Sequence, residues 1–105
     1  MSTPTDRNPD LVTVIASMRA RAGMEEQLRA ALEAAITPTK AEEGNVNYDL
    51  HQAVDDPAVF YFYENWVSAE ALDQHMRSAH LRELAAHAGE LVDGAMTVVQ
   101  LRRIA

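Results

Sequence analysis

The sequence predicts an α+β domain whose elements run strand, helix, strand, strand, helix, strand. Three observations carry that expectation. Residues 11–19 and 59–66 are rich in β-branched and aromatic side chains, whereas residues 24–35 repeat their apolar positions at helical spacing. Residues 46–53 and 59–66 flank Asp55-Asp56-Pro57-Ala58, a turn signature that predicts an antiparallel hairpin. A chain in this order lays its helices on one face of a four-stranded antiparallel sheet, the ferredoxin-like βαββαβ plan.

Residues 11–19 (LVTVIASMR) form the first expected strand, and Arg21-Ala22-Gly23 ends it. The period then changes. Met24, Leu28, Ala31, Leu32 and Ala35 share one helical face, with Glu25, Glu26, Arg29 and Glu33 opposite. Glu25 and Glu26 suit the positive end of the helix dipole. Pro38 requires the helix to stop near Ile36 or to kink, because proline donates no backbone hydrogen bond. Glu42-Glu43-Gly44 closes the segment. In residues 46–53, Val46, Tyr48 and Leu50 alternate with Asn47, Asp49 and His51. Ser68 is the expected cap of a helix bearing Leu72, His75, Met76 and Ala79 on one face. Ser78 is the expected cap of a shorter one bearing Leu81, Leu84, Ala85 and Ala88. Gly89 and Gly94 flank the exit into a last strand over residues 95–104.

The chain has 105 residues, 48% of them hydrophobic and 24% charged, which suits one globular domain with one core. Residues 11–105 are expected to be that domain, and the polar, proline-bearing residues 1–10 a disordered leader. There is no cysteine, which removes disulfide frameworks, cysteine-ligated zinc and thiolate nucleophiles together. A net charge of -7 repels phosphate backbones, so nucleic acid is not an expected partner. Membrane association is not expected either. No apolar run approaches the ~20 residues of a membrane span, and residues 1–10 lack the apolar stretch of a signal peptide; a cytoplasmic location is expected.

The expected sheet has large side chains on both faces. Phe60, Phe62, Glu64 and Trp66 alternate with Val59, Tyr61, Tyr63 and Asn65. A sheet covered on one face alone should alternate more cleanly between apolar and polar. A second copy packed sheet to sheet resolves this, and a homodimer is expected.

Several marks now stand in order. Residues 12–16 (VTVIA) lead through Arg21-Ala22-Gly23 into a helix. Glu42-Glu43-Gly44 precedes Tyr48 by four residues, Glu64-Asn65-Trp66 ends the third strand, and residues 68–72 (SAEAL) run on to His75 and His80. In that order and spacing the chain resembles the antibiotic biosynthesis monooxygenase family, most of all its quinol-monooxygenase-like and autoinducer-modifying members. The resemblance covers residues 11–104. It implies a dimeric α+β barrel with a pocket between sheet and helices. It also implies oxidation of a small aromatic or quinol-like substrate by dioxygen without metal, flavin or haem. The chain accordingly has no glycine-rich nucleotide fingerprint. The family's haem degraders carry an Asn on the first strand, and none occurs in residues 11–19.

Such a pocket would lie between Tyr48, Leu50, Phe62, Glu64 and Trp66 on the sheet and Leu72, His75 and Met76 on a helix. His75 is the acid–base candidate, since imidazole titrates near neutrality. Glu64 is expected to orient His75 or act as a second base, or else to pair with Arg19 or Arg77. Tyr48 is expected to hold a phenolate or enolate oxygen, and Trp66 to stack on a flat substrate. Phe62, Leu72 and Met76 would form walls, with His80 at the mouth. Asn65 is a further candidate for the oxygen, although strand parity turns it the other way. A metal centre is not expected: His75 and His80, five apart, do not share a helical face, and parity separates His51 from Glu64. The same residues also suit an isomerase of hydroxy-carbonyl compounds, or a dimer that binds a small ligand without turnover.

Overall fold

The computed structural model describes residues 11–105, so the expected leader lies outside the described residues. Four strands, β1 (Val12–Arg19), β2 (Asn45–Ala53), β3 (Asp56–Trp66) and β4 (Thr97–Leu101), form one antiparallel sheet in the order β2-β3-β1-β4. This is the ferredoxin-like order. The first expected helix is a pair, α1 (Glu25–Ala34) and α2 (Ile36–Lys40), and the two helices expected after Ser68 and Ser78 are α3 (Ala69–Met76) and α4 (Ala79–Ala88).

Alternation along β1 and β3 decides which face the helices cover. Val14, Ala16 and Met18 from β1 and Phe60, Phe62 and Trp66 from β3 are buried, and they pack with Leu28 and Leu32 of α1 and Leu84 and Ala88 of α4. On the other face, Tyr61 and Tyr63 stand exposed beside Ile15, with Val99 and Leu101 of β4 next to them.

Two boundaries differ from expectation. The first helix stops next to Ile36, as expected, and α2 follows it across Ala35. Pro38 falls in the first turn of α2, where a backbone N–H has no intrahelical partner to lose. The hairpin turn contracts to Val54 and Asp55, and β3 begins at Asp56. Pro57 is accommodated because the β2–β3 ladder is irregular there: Gln52 pairs with Phe60 but Ala53 pairs with Asp56. The last strand is the short, exposed edge Thr97–Leu101.

Ser68 and Ser78 cap their helices. Ser68 Oγ accepts from Ala71 N at 3.1 Å and Ser78 Oγ from Leu81 N at 3.3 Å. The second cap bears on the site, because it divides what would be one helix and re-aims the residues after Met76.

Candidate active site

A cavity of about 130 Å³ lies between the covered sheet face and α3 and α4. Val14, Ala16 and Phe62 floor it, and Leu72, Met76, Leu81, Leu84 and Ala85 wall it. Met76, Met96 and Val98 on its lining are exposed, so it opens on that side. Its titratable lining residues are Tyr48, Glu64 and His75.

The strands position two of the three. Tyr48 and Glu64 are cross-strand partners on β2 and β3, and the Tyr48 ring stacks on Phe62 with centroids 4.3 Å apart. Burial, then Glu64 and Glu42, push the Tyr48 hydroxyl well above its ordinary range, so it stays protonated as a donor. Glu64 is 4% exposed and accepts from the Trp66 indole Nε1 at 3.0 Å. Burial raises its pKa to about 7, against the opposing effect of the Trp66 hydrogen bond.

His75 lies in the last turn of α3 with its ring packed against Trp66 at 4.5 Å and edge-on to Tyr48 at 5.5 Å. Its Nδ1 lies 2.7 Å from Glu42 Oε2. A carboxylate can only accept there, so Nδ1 carries the proton and Nε2 keeps its lone pair. Among the described residues Nε2 has no hydrogen-bond partner. Burial lowers the His75 pKa, outweighing the Glu42 hydrogen bond and charge that raise it. His80 Nε2 reaches the same Glu42 oxygen at 2.8 Å from the start of α4.

These placements correct several expectations. Glu42, not Glu64, holds His75; Arg19 pairs instead with Asp56 and Arg77 with Asp73, leaving Glu64 to the indole. Trp66 is fully buried beneath His75 and does not line the cavity. Asn65 lies on the opposite sheet face, accepting from Thr13 Oγ1 at 2.6 Å and donating to Asn47 at 2.9 Å. His80 lies behind His75 and lines a separate groove with Ala31, Ala35, Pro38 and His87. Tyr48, Phe62, Glu64, Leu72, His75 and Met76 do meet around one space. The five-residue spacing of His75 and His80 does not keep them apart: the two lie on different helices, and Glu42, His75 and His80 offer ligand atoms within 4.8 Å of one another.

The sequence profile of the antibiotic biosynthesis monooxygenase family matches residues 11–87, most of the chain. The chain belongs to that family. It is 40% identical over 90 residues to "Putative monooxygenase Rv0793" of Mycobacterium tuberculosis, covering 86% of this chain and 88% of that protein. The crystal structure of PA3566 from Pseudomonas aeruginosa superposes with a TM-score of 0.86 at 32% identity, covering 94% of this chain and 99% of that one. The structure of Rv0793 superposes with a TM-score of 0.85 at 37% identity, covering 90% and 96%.

In this antibiotic biosynthesis monooxygenase family member, Glu42 is the site residue that sequence reasoning missed. The segment that carries it reads as a helix end, but Gly44 holds a usable signal. A Cβ on Gly44 would collide with the Ala71 Cβ, so the loop after α2 presses directly on α3. Val67 N donates to Gly44 O at 2.9 Å and fixes that approach. This contact brings Glu42 to His75.

Proposed function

We propose that the chain is a cofactor-independent monooxygenase of a phenolic or quinol-type small molecule, acting as a homodimer in the cytoplasm. The observation that carries the reading is the Glu42–His75 pair at an apolar cavity, with His75 Nε2 unpartnered. A neutral imidazole held in one tautomer by a carboxylate is a general base ready at neutral pH. The cavity is close to the ~150 Å³ that encloses a single benzene ring, so one ring fits inside and the rest of a larger substrate extends past Met96 and Val98.

Dioxygen is a triplet and does not attack a closed-shell phenol directly. His75 Nε2 takes the phenolic proton, and the phenolate passes one electron to dioxygen. The two radicals recombine at a ring carbon bearing hydrogen, giving a peroxide anion that takes the proton back from His75 and becomes a hydroperoxide. His75 Nε2 then removes the ring C–H proton and passes it to the departing hydroxide, which releases water and leaves a carbonyl. Phenol plus dioxygen thus gives quinone plus water, with one oxygen atom in each product. The Tyr48 hydroxyl donates to the substrate oxygen, and the apolar walls exclude water from the anion. The exposed face formed by Ile15, Tyr61, Tyr63, Val99 and Leu101 supports a dimer through the sheets.

The test is oxygen consumption with reduced naphthoquinols and anthrols, read against autoxidation without protein. The reading expects an excess rate that falls about 100-fold in His75→Ala, within the usual range for a general base. Absence of any excess would refute it. A second reading, acid–base isomerisation, draws on Glu64 near pKa 7 as a proton donor in the same cavity. Solvent deuterium incorporation without oxygen uptake would select it.

A further inference from the structure

Glu42 receives two imidazole nitrogens on one oxygen, His75 Nδ1 at 2.7 Å and His80 Nε2 at 2.8 Å. The donors come from three separate segments: the loop after α2, the end of α3 and the start of α4. Ser78 sets the last two against each other. Its Oγ caps α4, donates to His75 O at 2.7 Å and lies 3.3 Å from His80 Nε2. All three ligand atoms lie within 4.8 Å of one another. His75 is 2% exposed, and the His80 and Glu42 side chains are 24% and 18% exposed. The cluster is therefore largely dry, yet a cation can reach it beside His80.

We propose that Glu42, His75 and His80 form a binding site for a divalent transition metal, with zinc as the best match. Two imidazoles and one carboxylate are a known zinc donor set, leaving a fourth position to water. Zinc bonds of about 2.0–2.2 Å place tetrahedral ligand atoms about 3.3 Å apart. Glu42 Oε2 retreats by about half an ångström to reach that spacing from each nitrogen, and the two imidazole nitrogens, within 4.8 Å of each other, set the remaining edge. Calcium and magnesium fit less well, since both prefer all-oxygen shells.

The chemistry of occupancy is specific. Each imidazole binds zinc through the nitrogen that now donates to Glu42, so its proton moves to the far ring nitrogen. His75 gives up Nδ1–H and gains Nε2–H, and no net proton leaves when both rings are neutral. The nitrogen without a partner then has no lone pair. Zinc at this site switches off a base at His75. That consequence rests on the monooxygenase reading; the metal site does not.

The experiment is isothermal titration of the full-length, metal-stripped chain with zinc sulfate, at neutral pH and without turnover. Wild type should bind one zinc per chain. His80→Ala and Glu42→Gln should each weaken binding by at least ~10-fold, as loss of a direct ligand costs no less than loss of its supporting shell. His51→Ala and His87→Ala, which alter the described histidines outside the cluster, should leave it unchanged. Circular dichroism checks that each variant is folded, and His80→Gln serves if the alanine variant is not. Absence of saturable 1:1 binding overturns the proposal, as does binding that survives His80→Ala or follows His51 or His87. Zinc binding without oxygen uptake keeps the site and removes the monooxygenase reading. Oxygen uptake without zinc binding does the reverse.

Discussion

Glu42 and Glu64 both approach the His75 region, one from a loop and one from the sheet, and their surroundings give them different chemistry. Glu42 meets two imidazole nitrogens, so its charge is answered by donors. Glu64 has one indole N–H to answer burial at 4% exposure, and its pKa rises to about 7. A carboxylate with sufficient donors serves as a fixed anion that orients a base. A carboxylate with too few becomes an acid that exchanges its proton near neutrality. In the proposed chemistry the two glutamates divide those tasks, and the division follows from which element carries each.

The largest effect that would break this comparison comes from the ring next to Glu42. His75→Ala should lower turnover by about 100-fold, and a smaller loss than ~10-fold would move the base elsewhere. Glu42→Gln should cost about 10–100-fold in kcat with little change in KM, because a neutral amide in that place no longer fixes one tautomer. Glu64→Gln acts instead on the dependence of stability on pH. In the folded chain Glu64 binds its proton more tightly than the ordinary 4.5, so the folded state holds the extra proton between pH 4.5 and about 7. Wild-type stability contributed by this group therefore falls as pH rises through that window. Denaturant unfolding should show the variant gaining on wild type between about pH 4 and pH 8, by up to about 3 kcal/mol. A constant difference between the two would show that Glu64 is not the strained carboxylate. The smallest effect is geometric. Gly44→Ala inserts a methyl against Ala71 and should destabilise the fold by about 1–3 kcal/mol, pushing Glu42 away from His75. A variant of wild-type stability and activity would remove the role assigned to that contact.

The fold was legible because period and punctuation agree along the chain. β-Branched runs, a helical stripe and two serine caps all specify the same order, and strand alternation correctly separates Asn65 from Glu64. Burial within a face was harder to read. Trp66 shares parity with Phe62 and Glu64, yet α3 lands on it and places His75 above it, so it supports the ring instead of lining the cavity. The pairing of Glu42 with His75 spans 33 residues and depends on how closely a loop approaches a helix. Spacing along one element carries no information about such a contact. For His75 and His80, a spacing of five separates two faces only on one continuous helix, and the Ser78 cap, itself legible, starts a new one between them.

The chemistry proposed for this site turns on one proton. Nitrogen-15 spectroscopy of the histidine side chains, in wild type and Glu42→Gln at about pH 8 and free of metal, reads it directly, since the His75 ring, its pKa lowered by burial, is neutral there. The expected result is a His75 ring protonated at Nδ1 and bare at Nε2, with that preference weakened in the variant. A wild-type ring protonated at Nε2 would contradict it, because the nitrogen left without a partner could then accept nothing.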